Sequence, residues 1–472
     1  MNQFIPPHAS RVKSYQVDES FFTLRPMYLL FACLLIFLLS CTKTRDESSS
    51  LASAAAVAAN KEISGKVGIN VLLKTAITKD IVTELKLHGS VGKTFPELKA
   101  LTMMITADKL AKIQGLAFVK FANPDAERNG GPVDAVPVPD FSAGISTWNL
   151  DAINVTETGQ GRTNVPDGAG VYIGVLDTGL PDSWRQYFPQ ERIATQYAKS
   201  FGGGGNEQGN VSEQPNKWEH DQNSHGGHVT STILGYKLGT AFVNGVAPMA
   251  NIIPVKVLNQ NGSGWSSTVS EGILYIASLK AGVLKNSPVV INMSLGGPEL
   301  DAMETAAIDY AISTGVIIVA SAGNSGEAGM GYPGGYAPVI SVAAALWKSA
   351  FTTPTWWYAL DVADPTNTND FAIASFSSRQ KTGQDLDVAA PGYAVLGPYQ
   401  INSGQLSYYF LAGTSMASPH VAGIVALMAQ VKPGITPAQA ELKLEAAALP
   451  MAEGATAAGH GFITADAAIS GL

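Results

Sequence analysis

Val171-Tyr-Ile-Gly-Val-Leu-Asp177-Thr-Gly179 is the stretch from which the rest of the chain can be read. Val171 to Leu176 is a continuous apolar run, and it closes on a carboxylate and a glycine turn. Such a run, with no polar alternation, suits a parallel strand covered on both faces. Four more runs of this kind follow: Ile252–Leu258, Val289–Met293, Val316–Ala320 and Val339–Ala345. Helix-like stretches lie between them, at Val229–Leu234, Ser270–Ala281, Thr305–Ser313 and Ser418–Gln430. This alternation predicts an α/β fold, a mostly parallel sheet with helices on both faces.

The composition agrees. Hydrophobic residues make up 46% of the 472 residues and charged residues 14%, against about 25% charged in ordinary soluble domains. That excludes a disordered chain, which needs high charge and few apolar residues, and a coiled coil. The net charge of −8 and the lack of a basic patch exclude nucleic acid as a partner. At about 150 residues per domain the length suggests roughly three domains.

The two cysteines, Cys33 and Cys41, both lie near the N-terminus, so everything after residue 41 has no thiol for a disulfide or for Cys-ligated zinc. The apolar stretch Met27–Cys41 is shorter than the about 20 residues a spanning helix needs, and suits a signal-peptide core. It ends in Leu38-Leu39-Ser40-Cys41 before a polar segment, which resembles a bacterial lipoprotein signal. That resemblance implies export, lipid on Cys41 and anchoring to a bilayer on the extracytoplasmic side. The alternative is secretion after ordinary signal cleavage.

The remaining boundaries follow from pattern. Residues 1–41 are leader and signal, and 42–61, rich in Ser, Ala and charge, a tether. In 62–123, strands at Val67–Leu73, Val91–Phe95, Leu101–Ile105 and Leu116–Phe121 and helices at Thr78–His88 and from Thr106 through Ile113 give the order βαββαβ. Residues 124–147 read as an exposed linker with a processing site, and 148–472 as the large α/β domain. The glycine run from Gly202 and the polar stretch to Asn223 read as a flexible surface insertion. Trp347–Asp370, with Trp356 and Trp357, reads as a packed loop.

Three segments carry chemistry. Asp177 ends a strand before a glycine turn, which alone is a common turn aspartate. Asp-Thr-Gly is also an aspartic-protease signature, but that chemistry needs two carboxylates sharing a proton. No second copy occurs, so a homodimer would be required. His225 and His228, three apart, have the spacing of a metal pair, yet no His-Glu-x-x-His is present. A structural role suits His228, whereas His225 sits at a helix start facing the sheet edge. Ser415 opens an apolar helix whose N-terminus offers a backbone donor and a positive dipole end. Alone it reads as an N-cap. Pro419 falls in the first turns, where a missing N–H costs least, and Ala417 in place of glycine excludes the α/β-hydrolase elbow. Together the three give Asp177…His225…Ser415, one of three known chain orders for a serine-nucleophile triad. Ser415 needs a base, His225 is one near neutral pH, and Asp177 holds its tautomer. Asn324, between glycines after a buried run, is either a turn residue or a donor to a developing oxyanion.

Residues 148–472 resemble the subtilisin-like serine proteases, the subtilase family. The matching segments are Val-Leu-Asp177-Thr-Gly, His225-Gly-Gly-His228-Val, Asn292-Met-Ser-Leu-Gly-Gly297, Ala322-Gly-Asn324 and Gly413-Thr-Ser415-Met-Ala-Ser-Pro419. Gly227 departs from the family's usual threonine. The resemblance implies a three-layer subtilisin-like fold, a triad of Asp177, His225 and Ser415, and Asn324 as oxyanion donor. It implies that Ser294-Leu295-Gly296 and Gly262-Ser263-Gly264 flank an extended protein or peptide substrate. It also implies that the βαββαβ unit is an inhibitory propeptide, the enzyme's own first partner, later removed. No cofactor is required. Structural calcium is possible in such proteins, with no ligands assignable from this sequence. Cleavage after large apolar residues is expected; the alternative is that Glu327 enters the first pocket and selects basic ones.

Overall fold

The large sheet is built from the apolar runs. Its strands, in spatial order, are Lys199–Ser200, Asn251–Lys256, Tyr172–Asp177, Val289–Met293, Ile317–Ser321, Ile340–Trp347 and Phe371–Ile373, with Val388–Pro391 also paired to Ile340–Trp347. All pairs are parallel except that of Phe371–Ile373. In this computed structural model the described residues are 65–137, 147–157, 161–202, 208–350, 362, 365, 367–400 and 407–472. Cys41, the tether and Trp356–Trp357 lie outside them. None of the helices among the described residues is long and apolar enough to cross a membrane.

Alternation along each strand feeds two cores. Ile173, Val175 and Val319 pack with the helices His225–Leu234 and Thr414–Val431. Leu176, Ile291, Met293 and Ile318 pack on the other face with Ser266–Ala281 and Ala302–Ser313. The result is the expected α/β fold in three layers. Gly174 permits the close approach of one helix, because a Cβ there would lie 2.8 Å from Ile276 Cδ1.

Ahead of it, Lys66–Leu73, Gly89–Phe95, Ala100–Thr106 and Val119–Pro124 form an antiparallel four-stranded sheet, with helices Lys79–Lys86 and Leu110–Gln114. Its own core is centred on Ile69, Val71, Leu101 and Met103. Leu72, Phe95, Leu98 and Ala100 reach out of the unit into the second core of the large domain.

Three expectations are corrected. The segment 124–147, read as an exposed linker, is so only in part where it is described: Glu127, Asn129, Val133, Asp134 and Pro137 are exposed, whereas Asp125, Ala126 and Arg128 are buried. Asp125 accepts from Ser267 N–H (2.9 Å) and Ser267 Oγ (2.6 Å), and so caps the helix that starts at Ser266. Asp125 loses its exposure because it satisfies a helix N–H group, and Arg128 because it pairs with Glu304. The polar stretch up to Asn223 is likewise anchored. Gly209 N–H donates to Asp125 (2.8 Å), and Val211, Trp218 and Asp221 are buried. Third, Pro419 is the sixth residue of a helix that begins at Thr414, beyond the first turn.

Candidate active site

Four of the sequence-derived residues converge at the carboxyl ends of the parallel strands, where open α/β sheets place their ligands. Asp177 is the last residue of its strand, and His225 the first of its helix. His225 Nδ1 lies 2.8 and 3.0 Å from the two carboxylate oxygens of Asp177, both residues fully buried. A carboxylate only accepts, so Nδ1 carries a proton, and in the neutral ring Nε2 then holds the lone pair. That Nε2 is buried with no hydrogen-bond partner. The geometry is that of a base held in one tautomer.

The loop leading to His225 is fixed by residues the sequence reading did not single out. Asp221 accepts from Ser224 N–H (2.8 Å), Asn223 N–H (2.8 Å) and Thr178 Oγ1 (2.7 Å). Thr178 Oγ1 accepts in turn from Gly226 N–H at 2.9 Å, tying the helix start to the strand that carries Asp177. Ser224 is held at φ 70°, which a non-glycine residue rarely adopts. Lys256 Nζ donates to Thr178 O. Burial raises the pKa of Asp221 and lowers that of Lys256, and each opposes the shift of the other. Asp221, three before Ser224, has the spacing of a local side-chain-to-backbone turn. That was the available signal.

Ser415 is the second residue of the helix Thr414–Val431. Pro419 has no N–H to give the Ser415 carbonyl. Ser294 Oγ donates to that carbonyl instead, at 2.8 Å. In return Ser415 Oγ donates to Ser294 O at 3.2 Å. The Ser415 hydroxyl is thus turned toward Ser294. Asn324 Oδ1 accepts from both Thr414 N–H and Thr414 Oγ1 at 2.9 Å, which aims its amide NH2 the other way. A Cβ on Gly413 would lie 3.7 Å from Asn324 Nδ2 and 3.7 Å from Pro132 Cα.

Pro132 is there because the chain itself runs through the cleft. Glu127–Asn129 pairs antiparallel with Ser263–Trp265 on one side. On the other, Asn129 exchanges two backbone hydrogen bonds of 2.9 Å with Gly296. Gly130 N–H donates to Gly262 O at 2.8 Å. The segments Gly262–Gly264 and Ser294–Gly296 therefore flank an extended chain. Gly130 packs closely here: a Cβ would sit 2.8 Å from Leu258 Cδ1, 3.0 Å from Ser294 O and 3.4 Å from His225 Cε1. Past the cleft, Asp134–Pro137 pairs with Ser407–Ala412.

Other candidates separate from this group. His228 is buried, with Nε2 3.1 Å from Val395 O, and burial with His225 nearby lowers its pKa to about 3. It does not join His225 in a metal pair. Glu327 is 84% exposed and lies 3.6 Å from Arg379. Asp385, Asp387 and Glu441 bring one oxygen each to within 4.8 Å of the others. Oxygen donors suit calcium. Asp387 Oδ2 accepts from Ser341 N–H and Oγ at 2.7 and 2.8 Å, while Oδ1 is buried with no hydrogen-bond partner. Burial also raises Asp387 to about 8 and Glu441 to about 7. A proton shared within the trio accounts for it as well as a cation does.

Comparison with known proteins falls on the same region. The profile of the Subtilase family matches residues 168–462. Subtilisin E of Bacillus subtilis is 31% identical over 426 residues, covering 89% of this chain and 92% of the relative. Subtilisin DY of Bacillus licheniformis is 34% identical over 305 residues, covering 64% of this chain and 91% of the relative. Among solved structures, fervidolysin from Fervidobacterium pennivorans, described as a keratinolytic enzyme related to subtilisin, superposes with a TM-score of 0.63 at 24% identity, over 86% of this chain. This chain spans 61% of that longer one. The S41 psychrophilic protease gives 0.53 at 29% identity, over 68% of this chain and 99% of its own.

Proposed function

The chain belongs to the subtilase family and is a serine-type endopeptidase, and we propose that it works through Asp177, His225 and Ser415 by way of an acyl-enzyme. His225 Nε2 takes the Ser415 Oγ proton as that oxygen attacks the peptide carbonyl, and then passes it to the leaving amine. Asp177 keeps Nδ1 protonated and stabilises the imidazolium. Asn324 Nδ2 donates to the oxyanion. Gly262-Ser263-Gly264 and Ser294-Leu295-Gly296 hold the substrate by backbone pairing, so that sequence tolerance is broad outside a few pockets. None of these steps calls on a cofactor.

The observation that carries this reading is the fixed His225–Asp177 pair, with an unpartnered Nε2 beside an extended chain segment. A fluorophosphonate probe tests it. Wild-type protein is expected to be labelled at Ser415 and the Ser415→Ala variant not at all. A matured chain that binds peptides but never reacts would instead be a binding domain.

We propose further that residues 62–123 are the enzyme's own propeptide, with the cut in 124–147. Support comes from the chain that joins the two units, which fills the cleft. Export, and lipid attachment at Cys41, rest on the N-terminal sequence alone.

A further inference from the structure

Arg128 is fully buried, although arginine is seldom so unless paired. Its guanidinium meets the Glu304 carboxylate through Nε at 3.1 and 3.2 Å and Nη2 at 2.7 Å. Nη2 also donates to Glu299 O and Nη1 to Glu127 O, each at 3.0 Å. Glu304 is buried in the first turn of the helix Ala302–Ser313, where N–H groups and the helix dipole favour a negative charge. Burial raises the Glu304 pKa, and Arg128 opposes that rise.

The position of Arg128 gives this pair a meaning beyond internal stability. Arg128 pairs with Gly264 in the strand that lines the cleft, and its neighbour Asn129 is clamped to Gly296. Any extended peptide bound in the same register places one side chain where Arg128 now lies. Gly130 is bonded to Gly262 and passes His225, and Pro132 lies against Gly413, so Gly131 is the residue between them, and the register puts the bond to be cut after it. Counting back from the bond after Gly131, Arg128 is the fourth residue.

We propose that Glu304 is a specificity-determining residue that selects arginine at the fourth position before the cut bond. The inference rests on the peptidase reading above, and names a substrate class for it: chains carrying a guanidinium at that place. A planar fork matches the Glu304 carboxylate and the Glu299 carbonyl together, with its third nitrogen left for the carbonyl of the peptide's own preceding residue, which a lysine ammonium does not. A leucine would leave Glu304 buried opposite an apolar side chain, the penalty that makes polar subsites discriminating.

The test uses full-length protein after maturation, with active sites counted by a fluorophosphonate probe. Matched peptides differ only at the fourth residue before the cut, carrying Arg, Lys, citrulline or Leu. For Arg, kcat/KM is expected to exceed that for citrulline by at least about thirtyfold. In Glu304→Gln the Arg-to-citrulline ratio is expected to fall toward one. Equal rates for Arg and citrulline in the wild type would overturn the proposal whether or not the variant folds. A ratio that survives Glu304→Gln would also overturn it. If the protein takes no label and cuts nothing, the peptidase reading fails and this proposal falls with it. Labelled enzyme without an arginine preference rejects only the subsite.

Discussion

Removing the Ser294 hydroxyl is expected to unsettle the helix that carries Ser415, by an amount that depends on whether residue 419 is proline. Ser294 Oγ is the donor to the Ser415 carbonyl at 2.8 Å, and both residues are buried. Ser294→Ala leaves that carbonyl without a partner, because Pro419 cannot supply the helix's own N–H. An orphaned buried acceptor costs about 1–3 kcal/mol. Asn292 Nδ2, which donates to Ser294 Oγ at 3.0 Å, loses an acceptor as well. About 2 kcal/mol is therefore the expected loss. Pro419→Ala restores an N–H four residues on from Ser415, so in that background Ser294→Ala costs about 1 kcal/mol less. Urea unfolding of the four chains, all carrying Ser415→Ala to prevent self-digestion, measures this coupling. The single-site packing losses cancel in the cycle. If the two changes simply add to within about 0.5 kcal/mol, the hydroxyl does not stand in for the missing N–H, and the reasoning is wrong.

Asn324→Ala is expected to cut kcat by about two to three orders of magnitude with KM little changed; that magnitude is borrowed from an oxyanion donor of subtilisin. Turnover near wild type would make Asn324 a turn residue only. Ser415→Ala, expressed alone, is expected to accumulate the unprocessed chain on a gel, and normal maturation would exclude self-processing. His420 is buried, with Nε2 2.9 Å from Asn149 Nδ2 and Nδ1 2.8 Å from Met416 O, and burial lowers its pKa to about 4. The unfolded chain then binds a proton that the folded one refuses. The contribution of His420 is therefore a loss of about 1.4 kcal/mol per pH unit as pH falls from about 6.5 toward 4, beside a parallel loss from His228. In urea unfolding, His420→Gln should lower the slope of stability against pH by that amount, and an unchanged slope would refute it. Metabolic labelling with a fatty-acid analogue is expected to mark wild type and not Cys41→Ala, and equal labelling would reject the anchor.

What the sequence made legible was whatever is local in the chain. The buried strands announce themselves through uninterrupted apolar runs, and Asp177, His225, Ser415 and Asn324 through the short motifs around them. What it hid depends on partners far away in sequence. The helix expected from Ser270 starts at Ser266, because its free N–H groups are met by Asp125, 142 residues before Ser267. Pro419 reads as harmless only while its helix is thought to start late, and Ser294, 121 residues from Ser415, makes good the loss. Arg128 reads as a linker charge until Glu304, 176 residues on, is placed against it. In each case a polar group appears solvated in one dimension and is desolvated by the fold. A buried charge must then be paired, and a charge paired across a cleft is where selectivity is to be looked for. Arg128 and Glu304 meet that description, and neither carries a motif.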